Sequence, residues 1–82
     1  MLKGKGFETV LASPPAYDNL VVEIYFDGRL VALVSQERSQ GLFDLETPGP
    51  NLVEKEIVRR VEVQGLSRAI EEACQRLRGL KP

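Results

Sequence analysis

Residues 20–36 read LVVEIYFDGRLVALVSQ, and two apolar runs in this stretch meet at Asp27-Gly28. An Asp-Gly pair flanked by apolar residues indicates a β-hairpin with a two-residue type I′ turn, in which both central residues take positive φ. Such a turn places Phe26 opposite Arg29 and sets the register of both strands. A three-residue bulged loop is the alternative, and it would shift that register by one residue.

The type I′ register predicts a hairpin with two largely apolar faces. Continued without a break, it places Ile24 opposite Val31 and Val22 opposite Leu33 on the more apolar face. The second face then carries an apolar set with one acid among them: Val21, Glu23, Tyr25, Leu30, Ala32 and Val34. An antiparallel sheet with one solvated face alternates apolar and polar residues, so we expect something to cover this second face.

Further strands are predicted on both sides of the hairpin. Residues 7–12, FETVLA, form a candidate strand that ends at two prolines, since proline cannot donate to a sheet ladder. Residues 42–47, LFDLET, read as the next strand of a meander, with Phe43 and Leu45 inward. The stretch TPGPN that follows breaks regular structure.

Residues 52–63, LVEKEIVRRVEV, fit two structures. Asn51 followed by Glu54 resembles a helix capping box. The β-branched residues of 57–63 favour a strand instead, preceded by a polar turn at 51–56. We prefer the strand.

A C-terminal amphipathic helix is predicted over 66–79. Its apolar positions recur at helical spacing, with Cys74 at the edge of the stripe. These positions are Leu66, Ala69, Ile70, Ala73, Leu77 and Leu80. A single helix of this length covers only one face of a small sheet.

These elements predict one small α+β domain over residues 1–82. We expect an antiparallel β-meander of three to five strands, with one C-terminal amphipathic helix packed on one face. Residues 1–19 are expected either to be flexible or to supply an N-terminal strand. A chain of 82 residues buries a thin core, which oligomerisation commonly enlarges.

Composition excludes several kinds of chemistry. The chain has no histidine and one cysteine, which removes imidazole bases, His-containing zinc sites and an intrachain disulfide. A net charge of −1 gives no electrostatic basis for binding nucleic acid or an anionic membrane. No apolar run approaches the roughly 20 residues of a membrane span. We therefore expect a cytoplasmic protein with no cofactor and no metal site.

Catalysis is the alternative that the carboxylates leave open. Glu23, Asp27 and Asp44 could serve acid–base chemistry or ligand binding if the fold brought them together in a pocket. Solvated charges that discourage edge pairing are the simpler interpretation. The sequence therefore predicts no catalytic residue.

The second face of the hairpin is the positive functional signal, because exposed contiguous apolar patches mark interfaces. The candidate contact residues are the six named above, from Val21 to Val34. A second copy of the chain or another protein would then cover them. The alternative is that the N-terminal segment folds back over this face, through apolar and aromatic residues that it contains: Phe7, Leu11, Pro14, Pro15 and Tyr17.

The stretch EIYFDGRLVALVSQE, the turn-rich TPGPN and the final LSRAIEEACQRL together resemble small bacterial proteins of unknown function. The same plan is similar to some immunity proteins of bacterial toxin systems. The resemblance covers about residues 20–80 and carries over no catalytic or ligand-binding residue. It implies a non-enzymatic bacterial protein that acts by binding, with toxin inhibition as one form of that activity.

Overall fold

The computed structural model describes residues 6–39, 41–47, 58 and 60–79. Within these ranges four strands form one antiparallel sheet in the order β1-β2-β3-β4, and one helix follows them. The elements are β1 Phe7–Ala12, β2 Val21–Phe26, β3 Arg29–Ser39, β4 Leu42–Glu46 and α1 Val63–Arg78. The predicted α+β meander with a C-terminal helix on the sheet is confirmed.

The turn between β2 and β3 is the predicted type I′ turn. Asp27 has a φ of 52° and Gly28 a φ of 79°, so both central residues are left-handed. The backbone N–H of Asp27 donates to the Gly6 carbonyl at 3.0 Å, and Asp27 Oδ1 accepts from the Gly6 N–H at 2.8 Å. The turn therefore also holds the start of β1. Its first cross-strand pairs are the predicted ones, Phe26 with Arg29 and Tyr25 with Leu30.

Beyond these two pairs the predicted register is wrong, because β3 contains a bulge at Val31. Ile24 lies opposite Ala32, and Val22 lies opposite Val34. A one-residue shift turns every later side chain to the other face. Ala32 and Val34 therefore belong to the core under the helix, where Val34 is 2% exposed, and not to the second face.

The core lies between the sheet and α1, which packs mainly on β1 and β2. Its buried residues come from β2, β3 and the helix: Val22, Ile24, Val31, Ala32, Val34, Ala69, Ala73 and Leu77. Phe7 and Leu11 of β1 pack against this cluster. The N-terminal segment thus adds a strand to the sheet, and these two side chains lie on the helix side of that strand.

The helix α1 begins at Val63, three residues before the predicted start. The described members of the predicted stripe are all buried or half-buried. The buried positions of α1 recur every four residues and add Gly65, which was not predicted, to Ala69, Ala73 and Leu77. Gly65 approaches β1 so closely that a Cβ atom there would lie 2.5 Å from the Phe7 ring. Leu80, the last predicted member, lies outside the described residues.

The strand predicted over 57–63 is wrong for its described residues. Residues 58 and 60–62 are not in a strand, and Val63 is the first residue of the helix. Val58 donates one backbone hydrogen bond, 3.0 Å long, to the Leu30 carbonyl, and its side chain packs against the core. The remaining residues of the predicted strand, and the polar turn predicted at 51–56, lie outside the described residues.

The sequence predicts that Phe43 and Leu45 both point inward. Both lie on the helix side of the sheet, but only Phe43 packs against the core. The Phe43 ring packs against the core, and the Arg78 guanidinium lies 5.1 Å from its centroid. Leu45 lies opposite Val34 on the helix side of the sheet but is 49% exposed. The difference arises because α1 packs mainly on β1 and β2 and reaches β4 at Phe43 through Arg78.

Candidate interaction surface

The face of the sheet opposite α1 carries two rows of side chains across β1, β2 and β3. Cross-strand pairing places Glu8 beside Tyr25 and Tyr25 beside Leu30 in the first row. The second row runs in the same way from Val10 through Glu23 to Leu33. We call these six residues the outer patch: Glu8, Tyr25, Leu30, Val10, Glu23 and Leu33. All six are half-buried.

The structure divides the six predicted contact residues into two groups. Val21, Glu23, Tyr25 and Leu30 lie on the face opposite the helix, as predicted from strand alternation. Ala32 and Val34 lie in the core, as the bulge requires.

Three members of the outer patch were missed by the sequence prediction. Leu33 takes the place of Ala32 because of the bulge. Glu8 and Val10 come from β1, whose alternation with Phe7, Thr9 and Leu11 is visible in FETVLA once that strand is known to pair with β2.

The polar centre of the outer patch is a tyrosine–carboxylate pair beside a second acid. Tyr25 Oη donates to Glu23 Oε1 at 3.0 Å. Burial of the phenol, together with this hydrogen bond to a carboxylate, raises the pKa of Tyr25 to about 12. On β1, Glu8 Oε1 is buried and has no hydrogen-bond partner in the part of the chain that the structure describes. A buried acceptor without a donor is unfavourable by about 1–3 kcal/mol.

The other end of the same face is covered by the connection between β1 and β2, residues 13–20. Tyr17 Oη donates to Glu46 Oε1 at 2.6 Å, so the Tyr17 side chain reaches across the sheet to β4. Glu46 Oε2 accepts from Ser35 Oγ at 2.9 Å. Val21 and Ser35 are fully buried at this end.

A carboxylate on β3 fixes this connection in place. The Glu37 oxygens accept from the backbone N–H groups of Asp18 at 2.7 Å and Asn19 at 2.9 Å. These bonds lower the pKa of Glu37. Of the residues proposed to fold back over the second face, Tyr17 therefore does so at one end, whereas Phe7 and Leu11 face the helix. This contact adjoins the outer patch at Leu33, which lies opposite Glu46, and the patch residues remain half-buried among the described residues.

The three carboxylates considered for catalysis each accept hydrogen bonds from a different donor. Glu23 accepts from Tyr25, and Asp27 accepts from the Gly6 backbone. Asp44 accepts two hydrogen bonds of 2.8 Å from the Arg38 guanidinium, which lowers the pKa of Asp44. Among the described residues, no group of three acids or cysteines is arranged to hold a metal ion.

The two tyrosines should titrate far above the ordinary pKa of 10, and for different reasons. The hydrogen bond to Glu46 is the largest cause for Tyr17, whose pKa is raised to about 12, whereas burial is the largest cause for Tyr25. We expect Glu46→Gln to return the pKa of Tyr17 close to 10. Glu23→Gln should leave the pKa of Tyr25 well above 10, because burial remains. Tyrosinate absorbance during alkaline titration measures both, with the urea-unfolded chain as the reference.

The sign of the effect on stability follows from these shifts. Because the folded-state pKa exceeds the unfolded value, protonation of the two phenols stabilises the fold fully below pH 10. That stabilisation is lost as the pH rises from 10 through 12. Titration of both tyrosines near pH 10 in the folded wild-type chain would contradict the two hydrogen bonds.

Comparison of the chain with protein-family models, with curated proteins and with solved structures finds no match. In the part of the chain that the structure describes, the helix is too short and too polar to cross a membrane. The fold and the outer patch are therefore the basis for any functional assignment.

Proposed function

We propose that this chain is a non-enzymatic protein-interaction module that contacts its partner through the outer patch. The observation that carries the proposal is the combination of apolar side chains with an unsatisfied acid. Val10, Leu30 and Leu33 surround a tyrosine and two carboxylates, and Glu8 Oε1 is buried without a donor. A partner that covers the patch would bury apolar area and could supply the missing donor.

The charge of the outer patch specifies the partner's chemistry. Its six residues include two acids, Glu8 and Glu23, and no base. A complementary surface therefore presents apolar groups together with an arginine or lysine, since charge complementarity favours encounter and register. Tyr25 suits the centre of such a contact because its ring is apolar and its hydroxyl is polar. Inhibition of a toxin with a basic functional surface is one form that this activity could take.

A homodimer through the same face is the weaker candidate. A two-fold axis through Tyr25 would bring the Glu8 and Glu23 carboxylates of one copy close to those of the other. Like charges at that distance oppose association at neutral pH. We therefore expect a monomer by light scattering at neutral pH.

We also propose that the protein acts in a bacterial cytoplasm. The single cysteine, Cys74, is half-buried in the helix stripe, and burial raises its pKa. Such a thiol is suited to a reducing compartment and requires no disulfide partner.

Site-specific photocrosslinking in cells tests the proposed contact. A photoreactive phenylalanine analogue at position 25 should crosslink one partner protein in high yield, and the same group at exposed Val63 on α1 should not. Glu8→Arg and Glu23→Arg should each remove the crosslink, because they reverse the patch's charge. Glu71→Arg, a matched reversal on the exposed side of α1, should leave it intact.

Two results would contradict the proposal. Equal crosslinking from positions 25 and 63 would show that the outer patch is not a specific contact. Crosslinking of the chain only to itself, with a dimer by light scattering, would replace the heterologous partner with a second copy.

A further inference from the structure

Among the residues that the structure describes, β1 is an edge strand and presents backbone hydrogen-bonding groups away from the sheet. In an antiparallel pair, alternate residues direct both N–H and C=O toward the partner strand. Gly6 bonds with Asp27, so the even-numbered residues of β1 face β2. The Thr9 carbonyl instead accepts from Arg76 of α1 at 2.8 Å. Phe7, Thr9 and Leu11 therefore direct their peptide groups to the open edge.

A side chain, and not a strand, meets this edge in the described part of the chain. Arg76 Nη1 donates to both the carbonyl and the hydroxyl oxygen of Thr9, and the Thr9 hydroxyl donates to Glu72 Oε2 at 2.5 Å. Both helix residues are exposed. Exposed polar contacts of this kind contribute little and order a long side chain, so a strand's backbone N–H groups can replace Arg76.

A cleft of about 270 Å³ lies between this edge and the helix. It is lined by residues of β1 and of one stripe on α1: Phe7, Thr9, Gly65, Arg68, Ala69 and Glu72. Pockets for drug-sized ligands measure about 300–1,000 Å³, so this one suits individual side chains of a peptide.

We infer that the open edge of β1 and the adjoining cleft bind an extended peptide, which adds to the sheet as a further strand. Strand addition supplies affinity through backbone hydrogen bonds and specificity through alternate side chains. Every second side chain of the added strand would point to the helix side and into the cleft. The cleft is on the helix side of the sheet, whereas the outer patch, which also includes two residues of β1, is on the other face. The inference does not rest on the proposed function.

The charges along the cleft select an acidic side chain in that peptide. Arg68 forms no ion pair with a described residue, and Arg76 is released when the peptide takes over the Thr9 carbonyl. Glu72 accepts from the Thr9 hydroxyl and keeps its charge, so the two guanidinium groups of Arg68 and the released Arg76 lie beside one carboxylate of the cleft lining. The bound segment should therefore alternate, with apolar and acidic residues toward the helix.

The probe is the synthetic peptide acetyl-Val-Thr-Glu-Thr-Val-amide, titrated into the ¹⁵N-labelled full chain and followed by NMR. Val, Glu and Val would face the cleft. We expect shifts of the amides of Phe7, Thr9 and Leu11, and of α1 from Gly65 to Arg76. Two methylated peptides are compared, one with N-methyl groups at positions one, three and five and the other at positions two and four. Only one of the two should lose binding. The reason is that only one set faces β1.

A charge exchange tests the role of Arg68. Arg68→Glu should weaken binding of the Glu-containing peptide about fivefold and strengthen a Lys-containing version by a similar factor. Tyr25→Glu, on the outer patch, should change neither, which separates this site from the proposed function. The inference is overturned by no shifts at millimolar peptide, by shifts confined to the outer patch, or by binding of both methylated peptides.

Discussion

Val34→Lys should unfold the chain or lower its free energy of unfolding by at least about 3 kcal/mol, because the lysine ammonium would be buried without a partner. Val34 is 2% exposed and packs in the core beneath α1. Urea denaturation followed by circular dichroism measures the change.

Leu33→Lys is the matched control, one residue away on the same strand. Leu33 lies opposite both Glu23 and Glu46 on the face away from the helix. A lysine there reaches solvent and two carboxylates, so we expect a change within about 1 kcal/mol. The uninterrupted hairpin register places position 33 in the core and position 34 outside it. The reverse order of the two effects would therefore show that the bulge at Val31 is absent.

Gly65→Ala should destabilise the fold by about 1–2 kcal/mol, although alanine is the better helix former. Alanine in place of glycine gains at most about 1 kcal/mol of helix propensity. The added Cβ, however, would lie 2.5 Å from the Phe7 ring and 3.1 Å from Glu62 Oε1. The ring cannot easily move away, because it packs against the Phe26 ring with the two planes tilted by 54° and the centroids 4.8 Å apart. Overpacking of this kind costs about 1–3 kcal/mol.

Two further variants separate the clash from helix propensity. Gly79→Ala, at the end of α1, places its Cβ no closer than 3.6 Å to another atom, and should be neutral or slightly stabilising. In a Phe7→Leu background, Gly65→Ala should lose most of its effect, which gives a coupling energy of about 1 kcal/mol or more in a double-mutant cycle. Equal losses with and without Phe7 would show that the helix does not approach β1 at this point.

The turn and the helix could be predicted because each depends on residues close together in the sequence. The Asp27-Gly28 turn followed from the requirement for positive φ at both positions. The helix stripe followed from its 3.6-residue period, although its start at Val63 did not, because the β-branched residues before it favour extended structure. The strand preference for 57–63 fails at its described positions because the chain there packs on the core by side chains, with one backbone bond from Val58 to β3.

The candidate site was only half predictable for the same reason. Val21, Glu23, Tyr25 and Leu30 could be placed from alternation and the turn. Leu33 could not, because a bulge depends on how the two strands twist against the helix. Glu8 and Val10 required the knowledge that β1 pairs with β2, which is a contact between distant parts of the chain.

The sequence by itself determined the turn, the helix, the meander and the lack of a histidine or of a second cysteine for an intrachain disulfide, since each depends on residue type and short-range spacing. The tertiary structure alone decided which face each β3 side chain occupies and how much of the second face the chain covers for itself. A bulge of one residue inverts the faces of the strand beyond it. The hydrogen bond from Tyr17 to Glu46 closes one end of that face, and among the described residues the adjoining outer patch stays half-buried.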